Sequence, residues 1–109
     1  MSIEESNVVD FVGVEKATGN VVLTISDHLD WSDTGKHIAL LEDKLNAYLR
    51  FIESGEIHKE YPRSEGRQVI ISIVGKYPVP VQCQKFLEEA KSIINGAGIG
   101  LLFEESVND

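Results

Sequence analysis

The residues in this chain most able to do chemistry fall in one short stretch, Ser26-Asp27-His28-Leu29-Asp30-Trp31-Ser32-Asp33-Thr34-Gly35-Lys36-His37. It holds the only Trp, two of the three His and three Asp. His28 and Asp30 set an imidazole beside a carboxylate, the pairing that general acid–base catalysis uses. His37 can join them as a weak metal site, although the spacing matches no established metal signature and no metal is expected. A structural reading competes with both. Asp30 or Asp33 caps a helix, His28 bonds a loop carbonyl, and Trp31 packs over the helix start.

A second group is Lys76, Tyr77 and Cys83. Cys83 falls in the first turn of an expected helix, where the helix dipole lowers a thiol pKa. A nucleophile there needs a base, and His28 or His37 can serve. Cys83 also begins an apolar pattern with Phe86, Leu87 and Ala90, which instead makes it a small buried hydrophobe. The glycines at 96, 98 and 100 follow a helix, so they read as a cap and not as a phosphate loop. No Gly-x-Ser-x-Gly and no His-Glu-x-x-His pattern occurs.

These groups need elements to position them. Residues 8–14 and 21–26 read as strands, joined by the turn 15–20 into an antiparallel hairpin. Ser32 or Asp33 caps a helix whose apolar face carries Ile38, Leu41, Leu45, Tyr48, Leu49 and Ile52, ended by Gly55. Residues 56–67 read as a polar loop, with His58 solvated. Gln68 to Val74 is apolar at nearly every position, an interior strand. Pro80 starts a second helix carrying Cys83, Phe86, Leu87, Ala90, Ile93 and Ile94. Residues 99–103 form a last strand. Residues 1–7 and 104–109 read as loose tails of a single domain spanning 1–109.

The order β-β-α-β-α-β predicts an α/β two-layer sandwich, a four-stranded mixed sheet with both helices mainly on one face. The loops after the second and third strands then share one edge, the usual ligand edge of an open α/β sheet. That edge gathers His28, Asp30, Trp31 and His37 with Lys76, Tyr77 and Cys83. The opposite sheet face would show Val9, Phe11, Val22, Thr24, Ile70, Val74 and Leu102.

Composition narrows the function classes. The 109 residues suffice for one core. Ten Lys and Arg against eighteen Asp and Glu give a net charge of −8. That balance disfavours nucleic acid phosphates and anionic membranes, and it permits a basic protein partner. The start Met1-Ser2-Ile3-Glu4-Glu5-Ser6-Asn7 lacks the basic and apolar regions of a signal peptide. With a single Cys, a reducing cytoplasm is the expected compartment.

The run Val22-Leu23-Thr24-Ile25-Ser26-Asp27-His28-Leu29-Asp30-Trp31 resembles a family of small bacterial proteins of unknown function. So do the segment Lys44-Leu45-Asn46-Ala47-Tyr48-Leu49-Arg50-Phe51-Ile52-Glu53-Ser54-Gly55-Glu56 and Lys76-Tyr77-Pro78. The resemblance spans most of the chain. It implies a compact α/β domain in a bacterial setting and carries over no catalytic residue.

The functional expectation is a non-enzymatic acidic interaction module with no cofactor. It binds a basic protein or self-associates as a homodimer through the open sheet face. The alternative is a small enzyme or ligand binder using the edge formed by residues 28–37 and 76–83.

Overall fold

A computed structural model describes Ile3 and residues 9–106. Strands β1 (Phe11–Val14) and β2 (Val21–Asp27) form the expected hairpin, paired antiparallel from Phe11 opposite Thr24 to Val14 opposite Val21. Helix α1 (Thr34–Glu53) follows, then a short α2 (Glu56–Glu60) and a 3-10 turn (Pro62–Ser64). Strand β3 (Val69–Gly75), helix α3 (Val81–Gly96) and strand β4 (Gly100–Glu105) complete the chain. The sheet order is β1-β2-β3-β4, with β2, β3 and β4 parallel. This is the mixed α/β sheet that the sequence predicts.

The alternation along β2 decides which face is buried. Val21, Leu23 and Ile25 are buried, while Val22 and Thr24 are half-buried and Ser26 is exposed. Ile71 and Ile73 on β3 and Leu101 on β4 continue the buried face. Leu41, Leu45 and Tyr48 of α1 and Ile94 of α3 pack into the same core. Each such side chain contributes about 1.5–3 kcal/mol by leaving water.

The other face has rows fixed by the register. Phe11, Thr24, Ser72 and Leu102 form one row, and Val22, Ile70 and Gly100 the next. Phe11 is 64% and Leu102 46% exposed there. Val9, expected on this face, instead packs against the core, because it precedes β1 and lies outside the alternation of that strand.

Two segments differ from expectation. Residues 56–67 are not a polar loop. Gly55, at φ 83°, turns the chain out of α1 into α2. Ile57 is buried completely, and His58 Nδ1 lies 2.8 Å from the Ser64 hydroxyl. One apolar residue in a five-residue helix leaves no periodicity to read. Glu104 and Glu105 are also not tail residues, because their backbones pair with Val74 and Gly75. Of the expected N-terminal tail, Ile3 is buried and donates its N–H to Ser26 O at 3.1 Å. The rest of that tail, with 107–109, lies outside the described residues.

Candidate functional site

The loop between β2 and α1 is held by its own polar side chains. Asp33 is the N-cap, its Oδ1 accepting the Lys36 N–H at 3.1 Å. Asp30 Oδ1 accepts the Ser32 hydroxyl at 2.7 Å and the Ser32 N–H at 3.1 Å. Those two bonds, hydroxyl first, hold the Asp30 carboxyl below the usual carboxylate range, helped by the nearby His37.

The centre of the site is a pair that the sequence splits. Alternation past Val21, Leu23 and Ile25 turns Asp27 inward, and Asp27 is 3% exposed. Its Oδ2 lies 2.6 Å from His37 Nε2, and its Oδ1 accepts the Leu29 N–H. The other nitrogen, His37 Nδ1, lies 2.9 Å from Asp30 O. A carbonyl only accepts, so Nδ1 carries a proton. The Trp31 ring stacks on the imidazole, centroids 3.6 Å apart and planes 15° apart. The result is a closed unit in which both His37 nitrogens are engaged.

A second buried polar group ties α1 to the hairpin. Lys44 is fully buried, and its Nζ donates to Asp10 Oδ1 at 2.9 Å. Asp10 Oδ2 accepts the Ser26 N–H at 2.9 Å. The Asp10 N–H donates to Tyr48 Oη, which donates in turn to Thr24 O at 2.7 Å. Burial pushes the Tyr48 phenol pKa well above its ordinary value. His37, Lys44 and Tyr48, at spacings of seven and four, form a polar ladder down one face of α1.

The remaining sequence candidates do not join this unit. His28 is exposed, as are Lys76 and Tyr77. Lys76 reaches the edge by its backbone, donating its N–H to Asp27 O at 2.9 Å, while its ammonium lies 5.7 Å from the Tyr77 ring centre. Cys83 is 1% exposed, so it is the small buried hydrophobe of the structural reading. Because both His37 nitrogens are committed, neither is left to activate a thiol. Among the described residues, no three His, Cys, Asp or Glu side chains converge to hold a metal ion. A hollow of about 180 Å3 opens beside Leu29, Asp30, Asp33 and Lys36.

A larger concavity lies between α1 and α3. This groove, about 380 Å3, has a floor of Leu45, Leu49, Phe86 and Ala90. Glu42, Asn46 and Glu89 line it too, and Ile93 in its wall is 71% exposed.

Sequence reasoning missed Asp27, Asp10 and Lys44 as site residues, yet each leaves a signal. Asp27 continues the inward alternation of its strand. Lys44 interrupts the apolar stripe of Leu41, Leu45 and Tyr48, and Asp10 interrupts an apolar run. A charge at a core position requires a partner, and the two interruptions supply each other.

No helix among the described residues is long and apolar enough to cross a membrane. No curated protein and no solved structure matches the chain. A family model described as a family of unknown function, DUF6572, matches residues 1–107. The chain belongs to that family.

Proposed function

We propose that this protein is a non-enzymatic interaction module that seats a basic amphipathic segment of a partner protein between α1 and α3. The groove carries the reading. Its apolar floor suits one face of a helix, and Glu42 and Glu89 beside it suit Lys or Arg on the flanks. The net charge of −8 favours approach of a basic partner over an acidic one. The setting proposed with it is a bacterial cytoplasm. An enzyme or ligand site at residues 28–37 and 76–83 has less support, because His37 and Asp27 are committed to each other under Trp31.

A synthetic amphipathic helix of Leu and Lys, titrated against the full chain by calorimetry, tests this. A Leu and Glu peptide of the same pattern is the comparison. The basic peptide should bind, weaken as salt rises and be lost in Ile93→Lys, an exposed change that spares the fold. Equal affinity for both peptides, or binding indifferent to Ile93→Lys, would overturn it.

A further inference from the structure

The sheet has two edges, and they differ. β1 is four residues long, whereas β4 runs six residues with no Pro and no Lys to blunt it. Among the described residues β4 pairs with a strand on one side alone, and the direction of its outward backbone groups follows from one bond. Ser106 N–H donates to Gly75 O at 2.7 Å, toward β3. Residues two apart in a strand point their backbone groups the same way. Gly100, Leu102 and Glu104 therefore bond β3, and Leu101, Phe103 and Glu105 aim N–H and C=O at the open edge.

We propose that a second copy of this chain pairs antiparallel with β4, on a two-fold axis at Phe103. In that register Phe103 meets its own counterpart, and Leu101 meets Glu105 of the second copy on either side. Every outward residue then faces an outward residue. Each facing pair exchanges two bonds, about six in all. No Glu opposes a Glu, since Glu104 falls opposite Leu102 and Glu105 opposite Leu101. Moving the axis to Glu105 would set like charges face to face, at a cost.

One opposite-charge contact favours this arrangement, against Glu88 in the same recess and the net charge of −8 on each copy. Leu87, Glu88 and Lys91 of α3 border a recess of about 300 Å3 with Leu101, Leu102 and Phe103, beside the free edge. Leu101, Phe103 and Glu105 share the sheet side that α3 covers. Glu105 of the second copy, opposite Leu101, arrives on the side of Lys91. Symmetry makes that opposite-charge contact twice. Homodimerisation thus belongs to this edge and not to the open face, where Thr24 and Ser72 lie between Phe11 and Leu102. The proposal does not depend on the groove reading.

Sedimentation of the full chain across micromolar concentrations tests it. Wild type should be a dimer. Lys91→Glu and Glu105→Lys should each weaken it about tenfold. The double variant Lys91→Glu/Glu105→Lys should restore it, and Ile70→Lys on the open face should leave it intact. The amides of Leu101, Phe103 and Glu105 should exchange more slowly in the dimer than in dilute protein. A monomer at all concentrations overturns the proposal. So does a dimer lost in Ile70→Lys but kept in Lys91→Glu, or a charge swap that does not restore pairing.

Discussion

His37 Nε2 and Asp27 Oδ2 lie 2.6 Å apart with both side chains almost wholly out of water, at 1% and 2% exposure. Ten residues of chain separate them, and the pair closes the connection from β2 into α1. Removing one member leaves the other buried without its partner, the costly case for a buried pair. His37→Ala should destabilise by about 3–5 kcal/mol. In a denaturant-melt cycle, Asp27→Ala/His37→Ala should cost less than the two single changes together. Additive costs would show that the pair is not coupled.

The Lys44–Asp10 contact makes the same demand at the same open end of the hairpin, where Asp10 meets Ser26. Lys44→Met keeps the apolar stem and deletes the ammonium. It should cost about 3–5 kcal/mol, against less than about 0.5 for Lys59→Met on the exposed side of α2. Adding Asp10→Asn to Lys44→Met should recover part of the loss. Chemical denaturation of the four proteins checks this.

Tyr48 sets an alkaline limit. Its phenol stays protonated in the fold above its ordinary value of 10.0 because burial disfavours the phenolate. The stability it confers is full below about pH 10 and is lost as pH rises from there toward the raised value, because the unfolded chain ionises first. Thermal melts should therefore fall through that window, and in Tyr48→Phe this part of the fall should vanish. Tyrosinate absorbance should reach its last increment only as the protein unfolds.

Gly75 is a packing constraint and not a turn. A methyl group added there would sit 2.7 Å from Phe103 Cζ. Gly75→Ala should cost about 1–3 kcal/mol, and Gly75→Ala/Phe103→Leu should cost less than the sum of its parts. A Gly75→Ala protein that melts like wild type would show that Phe103 has room to rotate.

The sheet, its mixed direction and the long helices were legible because each rests on a repeating pattern: alternation in β2, the three-and-four spacing of Leu41, Leu45 and Tyr48 in α1. A cap at Ser32 or Asp33 was legible by a short local rule, and Asp33 fills it. The polar interior was legible only in retrospect. His28, Asp30, Trp31 and His37 are near one another in sequence, and proximity along the chain suggested a cluster. Burial sorted them differently. His37 turned inward with Asp27, Trp31 covered it, Asp30 stayed outside and lent only its carbonyl. Lys44 and Asp10 are 34 residues apart, and nothing local joins them. Ile57 shows the converse limit, a core residue in an element too short to announce itself.

The ladder of His37, Lys44 and Tyr48 makes the two helices mechanically unequal. Directional bonds hold α1 at three heights, to Asp27, Asp10 and Thr24. Among the described residues, no α3 side chain bonds a polar group on another element, and its N-cap Pro80 supplies no side-chain bond. Apolar contact resists separation but resists sliding only weakly, since it has no preferred direction. α1 is therefore the anvil of the molecule and α3 the compliant jaw. A segment seated in the groove, as proposed, would meet fewer directional bonds on α3 than on α1.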